Sequence, residues 1–122
     1  MVSASADKTS IVWCRKNGRA LVQYQGHRGS VNSCRFSHVD RDLILTASGD
    51  HELHLWKYSS DDNKDEDEEE NESSIQTIRS PVLSLRSDDV ISCADWLQRD
   101  HLVSASWDRS ATLWQVYFSL SI

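Results

Sequence analysis

No stretch of this chain approaches the run of roughly 18 apolar residues that a membrane span requires, and the N-terminus lacks a basic region followed by an apolar segment. A soluble protein, cytoplasmic and/or nuclear, is therefore expected. The three cysteines, Cys14, Cys34 and Cys93, form no close pair, and an odd number leaves one thiol over in any disulfide scheme. Free thiols in a reducing compartment are the simplest account. No segment sustains a helical period, and Pro81 is the single proline, so strands are left to carry the fold.

Several chemistries lack their residues as well. There is no GxSxG elbow, no Gly-rich phosphate loop followed by Lys and Ser or Thr, and neither a CxxC pair nor an HExxH. The candidate ligand pairs Cys34 with His38 and His51 with His54 fall short of the four ligands of structural zinc, and His54 is expected to face solvent opposite Leu53 and Leu55. No metal and no cofactor are expected. Phosphate binding needs a basic field, whereas the formal net charge is -6. Nucleic acid is disfavoured as a partner.

That charge is concentrated. Asp61, Asp62, Asp65, Glu66, Asp67, Glu68, Glu69, Glu70 and Glu72 stand with a single lysine between residues 61 and 72, a local charge of -8 that leaves +2 on the rest. The surrounding segment, 59–74, has no aliphatic or aromatic residue, so a solvated, disordered insertion is expected. Ser59, Ser60, Ser73 and Ser74 flank it, where phosphorylation would deepen the charge.

What the sequence does have is a repeat. Ser3 to Trp13 reads SASADKTSIVW, Thr46 to Trp56 reads TASGDHELHLW, and Ser104 to Trp114 reads SASWDRSATLW. The step from Asp to Trp is six residues each time: Asp7 to Trp13, Asp50 to Trp56, Asp108 to Trp114. Copies one and two start 43 residues apart and copies two and three 58, an excess of 15 that the acidic insertion supplies. Without it the period is about 40 to 45 residues, the range of propeller repeats with four strands per blade. Each Asp sits where it can hold a tight hairpin, Asn17-Gly18 marks another, and Leu53 to Tyr58 alternates as a half-buried strand does. Ile75 to Leu85 is read as a strand broken, or placed at an edge, by Pro81.

Gly26-His27 near the start of a unit, SxD before the hairpin, and an aliphatic residue plus Trp at its end together resemble a WD-repeat β-propeller. The Asp that usually follows the Trp is absent. The expected fold is all-β, a partial β-propeller of about two and a half WD-repeat blades of four antiparallel strands. Residues 1–58 would form the end of one blade and most of the next, 59–74 the insertion, 75–118 the last strand of the second blade and the third blade, and 119–122 a tail. A closed propeller typically needs 4 to 8 blades, so a fragment of a larger propeller is expected.

The resemblance also implies a buried structural tetrad of His27, Ser48, Asp50 and Trp56. Trp56 would donate to Ser48, Ser48 to one His27 nitrogen, and the other His27 nitrogen to Asp50. Ser5, Asp7 and Trp13 would match it in the first unit, and Ser106, Asp108 and Trp114 in the third. There Ser87, Asp88 and Asp89 replace Gly-His, so a looser blade is expected. A Ser, His and Asp set invites a hydrolase reading, but an element repeated in every unit serves structure, and a catalytic Ser needs an exposed oxygen beside an oxyanion hole. The chain is expected not to be an enzyme.

Protein recognition remains, as a scaffold within a larger propeller. Trp107 at a hairpin tip is the leading anchor, with Arg109, Arg28, Ser30, Asn32 and Ser92 on the same expected face; the plainer alternative folds Trp107 over its own blade. The runner-up is an adaptor whose acidic loop docks a basic partner or a sorting protein. The resemblance to one WD-repeat protein with such an insertion implies the phosphofurin acidic cluster sorting proteins as partners.

Overall fold

A computed structural model describes residues 1–38, 40, 42–58 and 75–116. The strands are β1 (Val2–Ala4), β2 (Ser10–Trp13), β3 (Ala20–Tyr24), β4 (Val31–Phe36), β5 (Leu43–Ser48), β6 (Glu52–Lys57), β7 (Gln76–Ile78), β8 (Leu83–Arg86), β9 (Ile91–Gln98), β10 (His101–Ser106) and β11 (Ala111–Gln115). They form three sheets in the orders β1-β2-β3-β7, β4-β5-β6-β8 and β9-β10-β11. The sheets stack as blades, with β4 packed on β1 on one side and on β9 on the other. No helix among the described residues is long and apolar enough to cross a membrane.

Alternation within each strand sends one row of side chains to each neighbouring blade. In the second blade Leu45, Ala47, Leu53 and Leu55 face the third, meeting Ile91, Ala94, Trp96 and Leu102 in one core. Ile44 and Trp56 face the first, meeting Val12, Val22 and Tyr24 in another. A sheet sandwiched this way is buried on both faces, so every residue of β5 is buried.

The stretch 75–85 departs from the expected broken strand of the second blade. Pro81 has no N–H to give a ladder, and the chain divides around it. Leu83–Arg86 pairs antiparallel with β6 as the fourth strand of the second blade. Gln76–Ile78 instead pairs in parallel with β3, on the outer edge of the first blade, where the Ile78 carbonyl accepts from the Gln25 N–H at 2.8 Å. The chain leaving the acidic segment thus returns to the preceding blade, and the ladders are not all antiparallel.

Candidate functional site

The three repeats fold into the same hairpin. The carboxylates of Asp7, Asp50 and Asp108 accept the backbone N–H two residues on, from Thr9, Glu52 and Ser110 at 3.0, 3.0 and 2.9 Å. The residue between, Lys8, His51 or Arg109, takes a left-handed φ of 78°, 75° or 73°. The hydroxyls of Ser5, Ser48 and Ser106 accept the N–H of the following Asp at 3.1, 3.0 and 3.3 Å. Fully exposed Asp7 and Asp108 have their pKa lowered, chiefly by hydrogen bonds from Thr9 and Ser110.

Those serines are therefore hairpin caps, which corrects the tetrad expected of them. The hydroxyl that meets the Trp lies two residues earlier. Trp13 Nε1 donates to Ser3 Oγ and Trp114 Nε1 to Ser104 Oγ, both at 2.9 Å, and the equivalent position in the middle unit is Thr46. Strand register decides this: Ser3 pairs with Ile11, Thr46 with His54 and Ser104 with Thr112. Each lies diagonal to the Trp two residues on, whereas Ser5, Ser48 and Ser106 stand further toward the turn.

In the middle unit His27 bridges the loop before β4 to the hairpin. Its Nδ1 lies 3.0 Å from Asp50 Oδ2 and its Nε2 2.7 Å from Thr46 Oγ1. The neutral ring with its proton on Nδ1 satisfies both, donating to the carboxylate and accepting from Thr46. Burial, and then the proximity of His54, push His27 down to about 4 against the pull of Asp50. Burial would raise Asp50, but hydrogen bonds from the Arg28 N–H and His27 outweigh it and hold its pKa low. Trp56 Nε1 is buried without a hydrogen-bond partner among the described residues; its indole instead stacks on Tyr24, ring centroids 4.5 Å apart and 3° from parallel.

Tyr24 opens a second polar chain absent from the expected set. Its hydroxyl donates to His54 Nδ1 at 2.7 Å, His54 Nε2–H donates to Glu52 Oε1 at 2.7 Å, and Arg86 Nη1 donates to Glu52 Oε2 at 3.2 Å. His54, expected in solvent, is buried, because the row opposite Leu53 and Leu55 faces the first blade. Burial, with Asp50 and Glu52 nearby, raises the Tyr24 pKa. A Cβ at position 26 would fall 2.2 Å from the Tyr24 hydroxyl oxygen, so only glycine lets the chain pass this ring.

His27, Asp50 and His54 each bring a ligand atom within 4.8 Å of the others. The two imidazoles are stacked face to face, so their in-plane lone pairs run side by side instead of converging. Every ring nitrogen also already holds a hydrogen bond. The cluster is built as a packed polar joint, and an ion would have to break it.

Backbone hydrogen bonds stitch the hairpin tips and the intervening loops into one rim. Val31 N–H bonds Ser5, Gly49 bonds Ser30, Ser87 bonds His51, and Trp107 bonds Val90, at 2.8 to 2.9 Å. In the third unit, which lacks the His, the Ser106 hydroxyl also donates to the Val90 carbonyl. Of the residues proposed for recognition, three use their side chains to hold this rim. Ser30 donates to Asn32, Asn32 Nδ2 donates to the Ile91 carbonyl, and Ser92 donates to the Ala105 carbonyl. Arg28, Trp107 and Arg109 are exposed, Trp107 to 68%. The acidic residues 61–72 lie outside the described residues.

Stacked sheets of four, four and three strands among the described residues, each with an Asp-held hairpin and a closing Trp, define a β-propeller repeat protein. The chain belongs to the WD40 family: the model for the WD domain, G-beta repeat, matches residues 18–57 and 75–115. WD repeat-containing protein 37 of Pongo abelii is 40% identical over 139 aligned positions, covering 93% of this chain and 28% of that protein, and the Homo sapiens protein is 39% identical over the same shares. Ribosome biogenesis protein YTM1 of Candida glabrata is 30% identical, covering 95% of this chain and 25% of its own length. The chain thus spans little more than a quarter of these relatives. The crystal structure of the WD40 β-propeller domain of Doa1 matches with a TM-score of 0.70 at 22% identity, over 93% of this chain and 32% of that one.

Proposed function

We propose that this chain belongs to a non-catalytic protein-interaction scaffold and that the stitched rim presents the binding surface. The observation that carries this is Trp107, a large aromatic side chain 68% exposed on a hairpin whose backbone is fixed by Asp108, Ser106 and Ser110. A rigid tip displays the indole with little ordering cost on association, and Trp and Arg are the residues most enriched where binding energy concentrates. Arg109 and Arg28 add cations to the same rim. The partners proposed are other proteins. Resemblance to WD repeat-containing protein 37 makes the phosphofurin acidic cluster sorting proteins the first candidates, and the YTM1 relative makes ribosome-assembly proteins the second. The site of action proposed is the nucleus and/or the cytoplasm.

Binding of a sorting protein by the full chain tests this, compared with Trp107→Ala, Arg28→Ala and deletion of 61–72. The rim reading expects Trp107→Ala to weaken binding tenfold or more and the deletion to leave it intact. Loss of binding only on the deletion would make the acidic segment the working part.

A further inference from the structure

The strand Gln76–Ile78 belongs to neither repeat that it lies between. Aligned on the repeat Asp and Trp, β1, β2 and β3 of the first blade correspond to β5, β6 and β8 of the second. β3 and β8 are thus equivalent outer strands, each paired antiparallel with the strand that carries the Trp. Among the described residues no strand lies beyond β8, whereas β7 lies beyond β3. It is an addition to the edge of the first blade.

The added strand is also poorly matched to its seat. It is three residues long and parallel to β3, the weaker ladder type per residue. Register sets Gln76 beside Val22 and Ile78 beside Tyr24, so both side chains turn to the face on which the first blade meets the second. Ile78 fits there, half-buried against the cluster that holds Val22, Tyr24 and Trp56. Gln76 does not. Its polar side chain is exposed next to Val22, which is 2% exposed. Thr77, on the opposite face, is exposed as well. One apolar anchor and a short ladder, continued by the bond from the Gln25 N–H to the Ile78 carbonyl at 2.8 Å, hold the segment in place.

We propose that the outer edge of β3 is a docking site for an extended segment of a partner protein, and that Gln76–Ile78 is its weak resident, displaced when the partner binds. The resident strand itself identifies the occupant. The partner segment runs parallel to β3 and carries two apolar side chains two residues apart, one in the Ile78 seat and one in the seat that Gln76 fills poorly. A strand added to a sheet edge draws affinity from main-chain hydrogen bonds and selectivity from alternate side chains, so these two seats set the preference. Release of β7 takes no strand from either repeat, because β8 keeps its own ladder with β6. The surface is a sheet edge and not the hairpin rim that displays Trp107.

Fluorescence anisotropy tests this with a labelled peptide of residues 75–80 carrying Gln76→Val, added to the full chain and to two variants of it. Ile78→Ala removes the resident's anchor, and this chain is expected to bind the peptide roughly tenfold more tightly than the parent. Gln76→Val supplies the missing apolar side chain within the chain, and this variant is expected to bind the peptide several-fold more weakly. A peptide that also carries Ile78→Asp should bind none of the three. Equal affinity for the three chains overturns the proposal, because the peptide then sits elsewhere. So does absence of binding to an Ile78→Ala chain that keeps the sheet signal of the parent in circular dichroism. Amide exchange gives a readout that survives failure of Ile78→Ala to fold, since weakly held segments open locally. In the parent chain the Gln25 amide is expected to exchange roughly tenfold or more faster than the amides of β5, and Gln76→Val is expected to slow it. A Gln25 amide as protected as those of β5, or one indifferent to Gln76→Val, overturns the proposal.

Discussion

The imidazoles of His27 and His54 lie face to face between the first two blades, ring centroids 3.9 Å apart and 11° from parallel. Their outer partners are carboxylates, Asp50 for His27 and Glu52 for His54. A proton on His27 is disfavoured by burial and then by the His54 ring beside it. The neutral rings, by contrast, fit a complete donor and acceptor count from Thr46 to Asp50 and from Tyr24 to Glu52. A pair of linked chains of this kind specifies one packing of blade on blade, since any displacement strands a buried polar atom.

The stability of the chain is expected to fall on mild acidification. His27 titrates near 6.5 when unfolded and at about 4 in the fold, so between those values the unfolded chain binds a proton that the folded one refuses. The contribution is fully present above pH 6.5 and is lost progressively down to pH 4, to a total of about 3 kcal/mol. Asp50, held low, gives up its own contribution only below the ordinary aspartate range. Urea unfolding at pH 7.5, 5.5 and 4.5 reads the slope. His27→Gln should flatten it in this window, and an unchanged slope in the variant would assign the dependence elsewhere.

The two hydroxyl positions of the middle repeat are expected to separate in cost. Thr46→Val keeps the volume but leaves the buried His27 Nε2 without its donor, a loss of about 1–3 kcal/mol. Thr46→Ser should recover most of it, because the hydroxyl is what matters. Ser48→Ala removes only an acceptor from the Asp50 N–H, about 1 kcal/mol in the manner of a lost cap. Denaturant midpoints of the three variants give the order, and Ser48→Ala as the costliest would return the inner role to Ser48.

That contrast also shows what the sequence could convey. The constant step from Asp to Trp was enough for the hairpins, the strand pairs and the propeller class, because turn chemistry and alternation are local. Thr46 and Ser48 point to the same side of one strand, and spacing alone does not choose between them; the register Thr46 to His54 does. Alternation placed His54 in solvent because it assumes one wet face, whereas a blade between two others has none. The parallel pairing of Gln76–Ile78 with Ala20–Tyr24 is a contact across more than fifty residues, with no local pattern to announce it. Tyr24 carried a signal in retrospect: an aromatic residue two before Gly26, where the glycine is needed to clear its ring.

Tyr24 and His54 are expected to be strongly coupled. Tyr24→Phe removes a donor and leaves His54 Nδ1 buried and unsatisfied, which costs about 1–3 kcal/mol. His54→Leu costs a similar amount, because it strands the buried Tyr24 hydroxyl, while Glu52 keeps Arg86 and solvent. In the double variant the Tyr24 to His54 bond has no surviving member, so its loss is counted once and not twice. The combined destabilisation should therefore fall short of the sum of the single effects by about 1 kcal/mol or more, the range seen for residues in one network. Strict additivity in a double-mutant cycle, read by urea unfolding at pH 7.5, would mean that the two rings merely pack and that the bond at 2.7 Å contributes nothing. Arg86→Ala provides the graded control: Arg86 is exposed and its contact with Glu52 is open to solvent, so its removal should cost less than 1 kcal/mol and leave the Tyr24 to His54 coupling unchanged.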